Sequence, residues 1–275
     1  MFIEILPVLV ATGAVVGFTA ALLGVGGGFI MVPVMYWVMS GAGVPEDIAL
    51  RTAFGTSLLV ILPTVLSSSW RHNKAGAVVW KVSLFLGSMG AVGALAGATI
   101  ASYVPCGPLK IFFGVFVLII ALRMGVGLKG EGANNAEPAI PPRHKLVILG
   151  LAMGVISGMT GLGGGALMVP ALVLVFQFPM RRAVATSSAA IIFTAIGGIV
   201  GYVVNGLGVA GLLPYSIGYV NLVIFAALVV TSVPMAQLGA RAAHAIDAGK
   251  LRLLFVVLMV YVGLRMMGAF ELLGM

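Results

Sequence analysis

The chain has 275 residues, 61% of them hydrophobic and only 8% charged, where a soluble domain carries roughly 25% charged residues. Apolar runs long enough to span a bilayer recur along its whole length, which excludes a soluble fold and indicates a polytopic membrane protein. The net charge of +8 comes from 15 basic residues lying mostly between or at the ends of those runs, the placement that orients a protein in a bilayer rather than binding nucleic acid, and the single Cys106 excludes an internal disulfide and a thiolate metal cluster.

Without water in the hydrocarbon, spans must be helices or a closed barrel. Runs rich in Ala, Leu and Gly, with no period-2 alternation, select helices. The predicted segments are 4–23, a shorter 29–40, 52–70, 82–103 and 108–127. The first is read as a retained helix rather than a signal peptide, because its start carries Glu4 and no basic residue and its end enters a repeat. A polar linker rich in Gly and Pro, 128–145, divides a first transmembrane repeat, 1–127, from a second, 146–275. The second repeat holds predicted segments at 146–160, 166–177, 183–204, 215–238 and 251–270.

The stretch GVGGGFIMVP, ending at Pro33, returns as GLGGGALMVP, ending at Pro170, at a spacing of 137 residues. Windows 17–33 and 154–170 share eight identical positions. Arg51, Thr56 and Ser57 return as Arg181, Thr186 and Ser187 at a spacing of 130, which implies a loop seven residues longer in the first half. Gly97, Leu109 and Leu122 return as Gly239, Leu251 and Leu264 at a spacing of 142. Each half therefore reads as one Gly-broken or re-entrant segment followed by three spanning helices, eight to ten helical segments in all.

Charge sets the expected orientation. The loop at 71–81 carries Arg71, Lys74 and Lys81, and its counterpart at 203–214 carries no charge. The loop at 41–51 carries Glu46, Asp47 and Arg51, whereas its counterpart has Arg181 and Arg182. Equivalent loops then face opposite sides, giving inverted-topology repeats with the linker cytoplasmic and both termini outside.

The chemistry centres on the glycines. Gly26, Gly27 and Gly28 let the backbone unwind, so the helix from about residue 29 begins at mid-membrane depth with its first amides unpaired. Gly163, Gly164 and Gly165 do the same for a helix from about Ala166. Two such helix starts facing one point make an anion site without a buried cation. Thr56, Ser57, Thr186 and Ser187, read as opening the next spans, can cap those helices or donate to a ligand. Arg51, Arg181 and His72 are candidates at the mouths, with bilayer anchoring as the simpler role of the arginines. None of the seven acids lies centrally in a span, which argues against a cation carrier. Ser157, in ISGMTG, is discounted as a protease nucleophile, because no buried histidine would activate it. No metal, cofactor or enzyme activity is expected.

The paired GxGGGxxxVP motifs, the Thr–Ser pairs, the loop containing His72 and the LGAR stretch at 238–241 resemble the sulfite exporter TauE/SafE family of membrane permeases. The resemblance implies a bacterial-type inner-membrane carrier of small sulfur-containing anions, such as sulfite or C2 organosulfonates. It places the family's glycine motifs on Gly24–Gly28 and Gly161–Gly165. The chain departs from the family where the second half's equivalent loop has Tyr202 and Asn205 instead of a histidine. The expectation is a secondary transporter binding its anion at midplane between the repeats. An anion channel, or a membrane scaffold without transport, remains an alternative. The partners are the small anion and the lipid bilayer, and homo-oligomerisation is compatible with the pattern.

Overall fold

The structure, a computed structural model, describes residues 2–23, 27–126, 141–242 and 248–269. The described residues form ten helices. The first half holds α1 (Phe2–Leu23), α2 (Gly28–Gly41), α3 (Glu46–Lys74), α4 (Trp80–Tyr103) and α5 (Cys106–Val126). The second holds α6 (Arg143–Thr160), α7 (Gly165–Leu174), α8 (Met180–Gly206), α9 (Leu222–Ala242) and α10 (Ala248–Met266). A small hairpin of β1 (Ser216–Ile217) and β2 (Val220–Asn221) precedes α9. Among the described residues α3, α4, α5 and α8 are long and apolar enough to cross a membrane. Exposed apolar side chains such as Val92, Leu95 and Ile100 on α4, and Ile111, Val115 and Ile119 on α5, form a surface suited to lipid. The chain is an all-α polytopic membrane protein.

Helices α3 and α8, which carry the two Thr–Ser pairs, cross antiparallel. A Cβ on Gly55 would stand 3.0 Å from the Tyr202 Cβ, and a Cβ on Gly198 would stand 2.6 Å from Leu58 Cδ1. Moving forward along α3 thus means moving backward along α8. Around this pair, α4 packs between α6 and α8, α9 packs on α1, and α10 packs on α5. The α4–α6 seam is built from backbone against backbone: a Cβ on Gly93 would meet Leu151 O, and one on Gly97 would meet Val155 O. Small residues permit this approach, and in lipid close contact is what drives helices together.

The second interrupted segment folds back on itself, with Gly164 against Ser157 and Met153 of α6. Leu146 near the start of α6 and Leu172 near the end of α7 share one buried cluster with Ala183 near the start of α8. Helix α7 therefore turns back towards the end from which α6 came.

The structure corrects four expectations. Thr56 and Thr186 do not open their spans, because α3 begins at Glu46 and α8 at Met180, after Pro45 and Pro179. Proline's fixed φ suits a helix entry, and in α3 two acidic residues in the first turn favour it further. The loop after the first Val–Pro is not seven residues longer. Helix α2 runs to Gly41 whereas α7 stops at Leu174, and α3 starts earlier relative to its Thr–Ser pair than α8 does, so the extra residues are helical. His72 lies in the last turn of α3 rather than in a loop. Residues 215–221 are not helical: Tyr215 and Gly218 have φ of 62° and 57°, outside the helical range, and the hairpin packs on α8 through Tyr219 N–H to Tyr202 O at 3.1 Å. Gly26 and residues 127–140 of the linker lie outside the described residues.

Candidate functional site

Gly27 is the N-cap of α2, with φ 65°, and Gly164 is the N-cap of α7, with φ 75°. Neither helix start has a side-chain cap. Gly27 O accepts from the amides of Ile30 and Met31 at 3.1 and 3.2 Å, and Gly164 O accepts from Leu167 and Met168 at 3.3 and 3.0 Å. Two more left-handed glycines, Gly161 and Gly163, carry the chain from α6 into α7. A side chain at these φ values would be strained, which is why both breaks are written in glycine.

The two glycine clusters touch. A Cβ on Gly28 would stand 3.1 Å from Leu162 Cα and 3.2 Å from Gly161 O. Gly161 in turn lies on α3, where a Cβ would meet Ser57 Oγ at 2.6 Å and Phe54 Cα at 2.7 Å. Gly163 faces Ile61 of α3 and Ile191 of α8, and Gly165 faces Ile191. Ile61 and Ile191 lie about 22 and 16 Å from the starts of their helices at 1.5 Å per residue, so the junction is far from both ends of the bundle. The residues around it, Gly27, Gly28 and Gly161 to Gly165, are all buried.

The Thr–Ser pairs do not both converge on that point, although Ser57 reaches it through Gly161. Each stands one helical turn before its isoleucine, and because α3 and α8 are antiparallel, with Gly55 against Tyr202 and Leu58 against Gly198, the pairs flank the junction, about 20 Å apart along the axis. Their hydroxyls are partly committed. Thr56 Oγ1 accepts from the Asn221 amide at 3.0 Å, just before α9. Thr186 Oγ1 accepts from the Val79 amide at 3.2 Å, just before α4. Each half thus holds the entry of the other half's next helix by the same device. Neither threonine hydroxyl has an acceptor for its own hydrogen among the described residues, so both can still donate. Ser57 donates to a carbonyl, with Gly161 O at 2.7 Å and Phe54 O at 2.8 Å, and Ser187 donates to Val184 O at 3.0 Å.

The charged candidates stand at opposite ends. Arg51 reaches Ala101 O at 3.3 Å and Val104 O at 3.2 Å, so its guanidinium caps the last carbonyls of α4. It also contacts Asp47 at 3.5 Å and Tyr219 Oη at 3.4 Å. Arg181 is exposed at the other end, within electrostatic reach of His72. Tyr202, which stands where the first half has His72, is fully buried and donates to Gly158 O at 2.7 Å. Asn205 donates to Gly201 O and Thr99 Oγ1. Beside Arg51, the helical extension of the first half places Glu46 Oε2 2.8 Å from Lys110 Nζ, which also donates to Tyr36 Oη of α2 at 3.1 Å. Among the described residues no group of His, Cys, Asp and Glu could hold a metal ion.

One residue at the junction, Ser157, is weighed in the sequence only as a nucleophile and discounted there. Ser157 is fully buried in the last turn of α6, and its Oγ has no hydrogen-bond partner among the described residues. A Cβ on Gly164 would stand 3.6 Å from that Oγ. The signal available was an asymmetry: at the spacing of 137, Ala20 occupies the corresponding place.

A family model described as sulfite exporter TauE/SafE matches residues 9–266. The chain is 30% identical over 268 residues to a probable membrane transporter protein of Methanocaldococcus jannaschii, covering 97% of each chain. It is 32% identical over 216 residues to the probable membrane transporter protein YunE of Bacillus subtilis, covering 72% of this chain and 78% of that one. A probable membrane transporter protein of Haemophilus influenzae is 30% identical over 276 residues, covering 97% and 99%. No solved structure matches the chain.

Proposed function

Because the chain belongs to the sulfite exporter TauE/SafE family and is a multi-pass membrane transporter rather than an enzyme, we propose that it carries small sulfur-containing anions, such as sulfite or a C2 organosulfonate, across the cytoplasmic (inner) membrane. The observation that carries this reading is the junction itself. Gly28 lies against Gly161 and Leu162, where α2 and α7 begin without side-chain caps, and the carboxylates of Glu46 and Asp47 stand in the first turn of α3, about 20 Å along that helix from Ile61. Helix starts present amides and the positive end of the dipole, and in a site shielded from water these attract an oxyanion without a lysine or arginine.

The two halves act as inverted repeats, and alternating access follows from one rocking against the other about the α3–α8 crossing. Gly26, Gly27, Gly28, Gly163, Gly164 and Gly165 form the binding point. Thr56 and Thr186, with hydroxyl hydrogens to offer, serve the anion on its way to either mouth. Ser57 and Ser187 shape those passages and join the ligand when their hydroxyls rotate. Arg181 and His72 guard one mouth, and Arg51 holds the wall of the other.

Counterflow in proteoliposomes tests the reading. Vesicles preloaded with sulfite should take up labelled sulfite or 2-hydroxyethanesulfonate with saturation, faster than unloaded vesicles. Conductance without exchange would replace the carrier with a channel. Absence of both flux and conductance for these anions would remove them as substrates.

A further inference from the structure

A buried hydroxyl that nothing satisfies is costly, and proteins seldom keep one without a use. Ser157 is such a group. Its neighbour Thr160 donates to Ile156 O at 2.7 Å, and across the contact Ser57 donates to Gly161 O, so other hydroxyls in the same wall find partners. A helical serine ordinarily turns its hydroxyl onto the carbonyl of the preceding turn. Ser157 makes no such bond and instead lies beside Gly164, with its Oγ within about 5 Å of the Gly164 Cα once a Cα–Cβ bond length is added to the 3.6 Å separation. Gly164 opens α7, a ten-residue helix whose first turn lacks a side-chain cap. A polar donor and an uncapped helix start therefore face one buried place.

We propose that Ser157 Oγ–H donates to the transported anion, completing with the first amides of α7 a binding point that belongs to the second repeat alone. The proposal rests on the reading that an anion occupies the glycine junction, and it deepens it in two ways. First, the site is one-sided: Ala20 stands at the matching place of the first repeat, so the α2 side offers no equivalent hydroxyl. Second, the ligand must accept hydrogen bonds from Ser157 and from the α7 amides at once, which the several oxygens of one sulfite or sulfonate group can do. Chloride, with a single acceptor atom, is the comparison that reads how much the separate oxygens matter.

The test uses the full chain purified in detergent, with sulfite and 2-hydroxyethanesulfonate as probes and chloride as the comparison. Wild type is measured beside Ser157→Ala, Ser157→Cys and Ser232→Ala. Ser232, like Ser40 and Thr52, also carries a buried hydroxyl without a partner among the described residues, and it lies on α9 where it packs on Gly17 of α1. Calorimetry reads affinity, and thermal unfolding without ligand reads stability. Ser157→Ala should keep or raise the unliganded melting temperature, because an orphan hydroxyl is gone, yet weaken binding of both probes at least about tenfold. Ser157→Cys, nearly isosteric with a weaker donor, should fall between, and Ser232→Ala should bind as wild type does. Wild-type affinity in folded Ser157→Ala overturns the role of Ser157 and leaves the anion site standing. Equal loss of affinity in Ser157→Ala and Ser232→Ala marks a general packing effect and also overturns it. If wild type binds neither probe, the anion reading falls and takes this proposal with it.

Discussion

Thr56 and Thr186 show how a short side chain can join two distant parts of a chain. Each hydroxyl accepts a backbone amide from the other half, 165 residues away for Thr56 and 107 for Thr186. Both are fully buried, so no water can replace the bond. Valine keeps the shape but removes the acceptor, leaving the amide of Asn221 or Val79 unpaired at a cost of about 1–3 kcal/mol. Thr56→Val and Thr186→Val should each lower the melting temperature of the purified protein, and Thr56→Ser should recover most of the loss. Equal stability of Thr56→Val and wild type would mean that the hydroxyl does not hold the start of α9. The duplication of these residues could be read from the sequence. Their work could not, because a one-dimensional pattern says nothing of which amide lies opposite. The same gap hid Ser157, whose unpaired state depends on where Gly164 comes to rest.

Helix α4 makes the corresponding point for packing. Gly93 and Gly97 meet backbone oxygens of α6 on one side, while Gly197 of α8 lies against the backbone of Ala91 on the other. A methyl group at Gly97 would strike Val155 O, an atom that moves only if the whole of α6 moves. Gly97→Ala should therefore cost at least the 1–3 kcal/mol typical of an overfilled core, roughly, and appear as poor yield and early unfolding. Gly107, in the first turn of α5, has nothing within 4 Å of a Cβ, so Gly107→Ala should be nearly silent in the same assay. A tolerated Gly97→Ala would show that the two helices sit further apart. Segment positions followed closely from hydropathy, since lipid forces the backbone into helices wherever the run is apolar. Helix ends followed less well. The start of α9 was misplaced because residues 215–221 are apolar enough to pass for a span, and only the positive φ of Tyr215 and Gly218 reveals a hairpin.

The arrangement in the bilayer ties these contacts to transport. Helix α4 runs from Trp80 to Tyr103, about 36 Å at 1.5 Å per residue, which spans a hydrocarbon core of about 30 Å with an aromatic residue at each interface. Trp70, exposed at the end of α3 with the Lys74 ammonium 3.8 Å from its ring centroid, anchors the same side as Trp80, whose Nε1 donates to Asn73 Oδ1 at 2.8 Å. That side also carries Arg71 and Lys74, whereas 207–214, beyond the end of α8, carries no charge. Since α3 and α8 cross antiparallel, their C-terminal ends must open on opposite faces if both traverse the membrane, and the positive-inside rule predicts that the basic end faces the cytoplasm. Single cysteines placed at Lys74 and Leu207, in a Cys106→Ser background, read this directly with a membrane-impermeant maleimide. In cells whose cytoplasmic membrane is intact, Leu207→Cys should label and Lys74→Cys should label only after that membrane is opened. The reverse pattern would turn the protein over and place the linker outside. Labelling of both from one face would mean that α3 and α8 do not both cross, and a carrier built on two opposed halves would have no axis about which to rock.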